Sequence, residues 1–245
     1  MLDKKPPLIF TVGKGIVDWV YPDIKTVGDL PQGPVVYVAN HCQLNGPLCC
    51  ELHLPGENYL WGASPMFSLK EGPDYMFRDF WAFKPKWTHP WFRFCSYALA
   101  PLSVLVFNYC HTVPVYRDAR IISTFKQSLD RLLQGANLVI FPEHNQPHNH
   151  IVYDFQDKFI DLARLYYKKT GQKLRFVPLY IAPKLRQMTP GAPVEFDPTA
   201  PIDRERARIK AYLMGEITRV AESLPLHTVI PYRNIPKKLY PKNRP

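Results

Sequence analysis

The chain carries few of the signs of an exported protein. It has only five cysteines, Cys42, Cys49, Cys50, Cys95 and Cys110, with no Cys-x-x-Cys pair among them. An odd, scattered set cannot pair completely, so a reducing compartment suits it better than secretion. The opening MLDKKPPLIF holds charge and proline but no apolar core of signal-peptide length. Acidic residues are scarce, 21 against 31 Lys+Arg, leaving a formal net charge of +10. That sign favours anionic partners: phosphorylated substrates, acidic lipid surfaces or nucleic acid. No internal repeat is visible, and the one candidate for a membrane span is residues 94–110, apolar and without Asp, Glu, Lys or Arg. It carries Pro101 near its middle and barely reaches the ~17–25 residues of a membrane span. It reads as buried or interfacial rather than crossing.

What is present points to an ordinary folded chain. With 245 residues, 46% of them hydrophobic, it is one large domain or two small ones and buries about three quarters of its unfolded surface. The 26 prolines are about twice the usual frequency and predict many fixed corners. Four continuous apolar runs read as strands buried on both faces: VVYVAN (35–40), TVPVYR (112–117), NLVIFPE (137–143) and LRFVPLYIA (174–182). Helical spacing lies between them. Asp118 is a cap for a helix bearing Ile121, Ile122, Phe125, Leu129, Leu132 and Leu133, closed by Gly135. A second helix is predicted over 155–169 with Gly171 behind it, and a third after Asp203 with Ile209, Leu213, Ile217 and Val220 on one side. The alternation predicts an α/β fold with a mixed, mostly parallel central sheet covered by helices. The domain is expected over 1–225, followed by a basic, proline-rich tail over 226–245. That tail holds Arg233, Lys237, Lys238, Lys242 and Arg244 and no acid. It reads either as solvated and loosely ordered or as an electrostatic tether to anionic lipid.

Sites in such sheets gather where strands end, which selects His41, Arg117 and Glu143, each just past a predicted strand. An imidazole accepts a proton at neutral pH once its tautomer is fixed. The order of blocks, Asn40-His41, then Arg117 at a strand end, then Phe141-Pro142-Glu143, then Val177-Pro178, resembles the glycerophospholipid acyltransferase (lysophosphatidate acyltransferase-like) family. The resemblance covers roughly residues 30–225 and implies an acyltransferase of phospholipid biosynthesis. His41 would be the general base, acyl-CoA or acyl carrier protein the co-substrate, a lysophospholipid or glycerol phosphate the acceptor, and Arg117 the group that holds its anion. It implies no further cofactor.

The chain also departs from that pattern. Gly46, beside Asn45, stands where the family has its aspartate, and His144-Asn145-Gln146 stand where it has Gly-Thr-Arg. These departures leave open a relative that binds lipid or acyl carrier without turnover. Either Glu143 supplies the missing carboxylate to His41, or it bonds the amides of a tight turn. Asn45, His144, Asn145 and Gln146 become candidates for the acceptor pocket. The histidines His144, His148 and His150 match no metal spacing, and Pro147 breaks any helix that would align them, so no metal is expected. Cys42 is discounted as a nucleophile because neighbours in an extended chain point apart. Residues 75–94 interleave Trp81, Trp87 and Trp91 with Arg78, Lys84, Lys86 and Arg93. That mixture suits a membrane headgroup layer, a core, or, less well, single-stranded nucleic acid. A cytoplasmic protein peripherally attached to an anionic membrane surface is the combined expectation.

Overall fold

The computed structural model describes residues 6–244, with Asn145 described in its backbone only. In chain order the elements are α1 (Leu8–Val20), β1 (Lys25–Thr26), β2 (Val35–Ala39), α2 (Asn45–His53), β3 (Asn58–Ala63), α3 (Gly72–Met76), α4 (His89–Tyr109) and β4 (Thr112–Val115). There follow α5 (Ile121–Leu133), β5 (Asn137–Ile140), β6 (Glu143–His148), β7 (Tyr153–Phe155), α6 (Asp161–Thr170), β8 (Arg175–Ala182), β9 (Gln187–Pro190), β10 (Val194–Glu195) and α7 (Ile202–Ser223). They fall into two compact units. The larger comprises Pro22–Leu60 and Phe125–Pro245, the smaller Met1–Tyr21 and Trp61–Thr124.

The larger unit holds a mixed, mostly parallel sheet in the order β1-β9-β8-β2-β5-β3. β2 runs parallel to both neighbours, with Val36 opposite Leu138 and Phe176 and Val38 opposite Ile140 and Pro178. All five β2 residues are buried, which is why the run shows no polar alternation. Proline in a central strand forfeits a ladder bond. Pro178 avoids the loss because it faces the gap between β9, whose pairing ends at Leu179↔Pro190, and β10, which resumes at Phe176↔Val194. In that gap Gly191 turns its amide onto the Pro178 carbonyl at 2.8 Å. The stripe Ile209, Leu213, Ile217 and Val220 of α7 is buried, and Gly171, at φ +71°, closes α6 in the left-handed conformation that glycine adopts freely.

Two expectations shift. The helix expected over 155–169 begins at Asp161, because Tyr153–Phe155 is a strand paired antiparallel to β6. The tail is packed rather than solvated. Asn243 is wholly buried and its amide donates to the Ala221 carbonyl at 2.8 Å, Val229 is buried, and Thr228 bridges Lys242.

In the smaller unit, α4 runs through Pro101, which leaves the Tyr97 carbonyl without its usual helical donor. Its inner face packs Ala100 with Met66 and Met76, flanked by Phe107 and Tyr75, and Ser103 donates to the Met66 carbonyl at 3.0 Å. Phe10 of α1 meets Tyr109 at 5.7 Å. The rest of both helices is bare. Trp19 is 86% exposed and Trp87 84%, and Leu8, Ile9, Trp91, Phe94 and Leu102 are also exposed. The segment Lys86–Tyr109 is long and apolar enough to cross a membrane, with 17% of its apolar window buried. Of the aromatics over 75–94, Phe83, Trp87, Trp91 and Phe94 are exposed, whereas Phe77 is buried and Tyr75 and Phe80 pack against the Met66, Met76 and Ala100 cluster; most of the run 94–110 is not buried.

Candidate active site

Strand order alone assembles the centre of the site. β2 lies between β8 and β5, so the residues leaving its carboxyl end meet the ends of both neighbours. Asn40 turns to β8. Its Oδ1 accepts from Ile181 N at 2.7 Å and its Nδ2 donates to Ile181 O at 3.0 Å, so the side chain continues the ladder one position past the strand. His41 turns to β5. Its backbone N–H donates to Glu143 Oε1 at 2.5 Å, while Glu143 Oε2 accepts from Tyr153 N at 2.9 Å.

Glu143 therefore holds backbone. The expectation that its carboxylate orients the His41 ring is corrected: both its oxygens are engaged by amides, and these bonds tie β2 to the β6–β7 hairpin. The same bonds help hold the polar run Glu143–His148 as a strand. Glu143 is buried, and burial pushes its carboxyl up to about 7 despite the two amide donations.

The ring finds a different partner. His41 Nδ1 lies 2.5 Å from the Gln43 carbonyl oxygen, and a carbonyl accepts only, so Nδ1 carries the proton. Nε2 is left with its lone pair and makes no hydrogen bond among the described residues. The rings of Phe141 and Tyr232 each lie with their centroid 5.1 Å from that of His41. Burial pulls the imidazole below its ordinary value, opposed by the bond to Gln43. A carbonyl thus sets the tautomer without a negative charge.

Position 46 has no room for a side chain. Gly46 donates its amide to the His41 carbonyl at 3.1 Å, and a Cβ at this position would run into that same carbonyl and the Phe141 ring. The turn that places Gln43 beneath the imidazole uses two residues with left-handed backbone, Cys42 at φ +47° and Gln43 at φ +57°. Cys42 is accordingly not extended, as had been expected. It is discounted as a nucleophile for another reason: burial pushes its thiol well above the usual range, and it is held by Asn40 Nδ2 and the Ile181 carbonyl.

The remaining candidates are placed as follows. Asn45 Nδ2 donates to the Cys42 carbonyl at 3.1 Å and so closes the turn. His144 Nε2 pairs with Asp154 Oδ2 at 3.0 Å, and Asp154 also meets Lys210 Nζ at 2.7 Å. Gln146 is exposed on β6, and the side chain of Asn145 lies outside the described residues. Arg117 is exposed just after β4, in the smaller unit. Among the described residues no three His, Cys, Asp or Glu side chains converge as a metal site. Sequence reasoning missed Gln43, Tyr232 and Tyr240. Gln43 Nε2 donates to Tyr240 Oη at 2.9 Å and to the Arg233 carbonyl at 3.3 Å.

Compared with known proteins, the chain matches no family model and no curated protein. Among solved structures it is similar to the crystal structure of the 1-acyl-sn-glycerophosphate (LPA) acyltransferase PlsC from Thermotoga maritima, with a TM-score of 0.47 and 12% sequence identity over 89% of this chain and 80% of that one.

Proposed function

We propose that this chain transfers a fatty acyl group from acyl-CoA or acyl carrier protein to a hydroxyl of a glycerolipid-like acceptor, with His41 as general base. The observation that carries this reading is the state of His41, whose protonated Nδ1 rests on the Gln43 carbonyl while Nε2 keeps a free lone pair. In the reaction Nε2 takes the acceptor's hydroxyl proton as the oxygen attacks the thioester carbonyl carbon. The C–S bond breaks as the ester forms, and the imidazolium returns the proton to the departing thiolate. The order of the Asn-His, Arg, Phe-Pro-Glu and Val-Pro blocks supports the same chemistry. The resemblance would give Arg117 the acceptor's anion and the exposed Gln146 a place in the acceptor pocket. Asn45 and His144 already hold neighbours of their own chain.

The bare faces of α1 and α4 support a membrane-surface location. Exposed Trp19, and Trp87 and Trp91 interleaved with Lys86 and Arg93, suit the headgroup layer, and we read the chain as lying on the cytoplasmic face rather than crossing. Thiol release from palmitoyl-CoA, with lysophosphatidate or monoacylglycerol as acceptor, tests the reading. His41→Ala is expected to lower acceptor-dependent release by roughly 10²–10⁴-fold. Equal background release by wild type and variant with every acceptor would overturn it in favour of a protein that binds acyl lipid without turnover.

A further inference from the structure

We infer that the carboxy-terminal segment, residues 225–244, is a working part of the site: Tyr240 and Gln43 form a positioning relay that sets the tautomer of His41. The inference rests on the acyl-transfer reading only for its kinetic consequence; the relay itself is a matter of geometry.

The loop beneath the imidazole cannot hold itself. Cys42 and Gln43 both occupy left-handed backbone without being glycine, a conformation that survives only where its surroundings impose it. Gln43 matters most, because its carbonyl is the sole hydrogen-bond partner of the His41 ring among the described residues. What pins Gln43 comes from nearly two hundred residues away. Its Nε2 donates to the Tyr240 phenol and to the Arg233 carbonyl, and the Tyr232 ring stands 5.1 Å from the imidazole. All three contacts belong to one loop of the tail.

That loop is itself anchored independently of Gln43. Asn243 Oδ1 accepts from His227 N at 2.8 Å, and Val229 N donates to the Pro241 carbonyl at 2.9 Å. The Asn243 amide donates to the Ala221 carbonyl at the end of α7. His227 is buried, with Nδ1 2.8 Å from the Pro225 carbonyl and Nε2 2.8 Å from Tyr180 Oη on β8. The two ends of the segment are thus clamped to the sheet and to α7, and residues 230–240 are presented to the His41 turn. Bonds to an imidazole's far nitrogen fix which nitrogen is basic, and groups that hold such a partner typically affect function ten- to a hundredfold.

The test reads the ring directly. In ¹⁵N-histidine spectra at pH 8, with His41 assigned by its loss in His41→Asn, the wild-type ring is expected as the Nδ1–H tautomer. Tyr240→Phe, which keeps the ring and deletes the phenol oxygen, and Gln43→Ala are each expected to shift His41 toward a mixture of tautomers. Each should also lower kcat about ten- to a hundredfold with KM within about twofold. Tyr212→Phe, which removes a phenol bonded to the Ala192 carbonyl elsewhere, is expected to change neither. Tautomer shifts in a protein that shows no acyl transfer would uphold the relay and reject the enzymatic reading. An unchanged His41 spectrum in both Gln43→Ala and Tyr240→Phe overturns the relay whatever the activity.

Discussion

The two helices α7 and α4 are of nearly equal length, 22 and 21 residues, yet they treat their apolar side chains in opposite ways. In the larger unit α7 buries Ile209, Leu213, Ile217 and Val220 and pairs its charges, Arg219 with Glu216 and Arg208 with the buried Glu205. In the smaller unit α4 buries little but Ser96, Ala100 and Ser103 and leaves Trp91, Phe94, Tyr97 and Leu102 exposed. The first helix stabilises a fold in water. The second leaves an apolar surface open to solvent, and contiguous exposed patches of this kind mark sites of association.

The contrast can be broken in several ways. The largest effect is expected in the core: Leu213→Ala, at a fully buried site, should cost about 2–5 kcal/mol of stability. Leu102→Ala on the exposed face of α4 should stay within about 0.5 kcal/mol. Urea midpoints of the two variants decide the matter, and equal losses would mean that α4 is packed in solution.

Next in size is a pH effect confined to the core. Glu143 titrates at about 7 in the fold against an ordinary value of 4.5. Its folded pKa is raised, so its contribution is fully present below about 4.5 and is lost as pH rises through 7. The loss is on the order of 3 kcal/mol. The lowered values of His41 and His227 act the other way, removing stability as pH falls below their ordinary 6.5. Comparison of wild type with Glu143→Gln isolates the carboxyl: their stability difference should shift against wild type between pH 4.5 and 8, and a constant difference would show that Glu143 is ionised throughout.

The smallest expected effect sharpens the other side of the comparison. Removing Trp19 or Trp91 deletes about 1.5–2 kcal/mol of apolar transfer, or roughly tenfold to thirtyfold in partitioning. Sedimentation with vesicles containing phosphatidylglycerol should show this loss, with the urea midpoint unmoved. Unchanged vesicle binding by the double variant would remove the lipid assignment from this face.

The sheet was legible because its strands are buried on both sides. VVYVA, NLVI and RFVPLYIA are short, nearly continuous apolar runs rich in β-branched and aromatic residues, and length and composition together mark them as strands. The hairpin β6–β7 was not legible, since EHNQPH has neither alternation nor β-branched residues. It is held by a buried carboxylate gripping two amides, a tertiary contact without a local signature. His41 and Glu143 were found by their place at strand ends, but the role of Glu143 was not, because the side chain that completes His41 is replaced by a backbone carbonyl. Every residue has a carbonyl, so composition could not single out Gln43. Tyr232 and Tyr240 stood in a proline-rich basic tail whose charge masked the two phenols that matter.

The central claim is that a neutral imidazole, fixed by a carbonyl in place of a carboxylate, is the base. The pH dependence of kcat/KM for acceptor-dependent acyl transfer tests it most directly. With no anion on the ring to raise its pKa, the account expects an acidic limb below 6.5 that disappears together with the activity in His41→Ala. Wild-type turnover in His41→Ala with the same limb would contradict it.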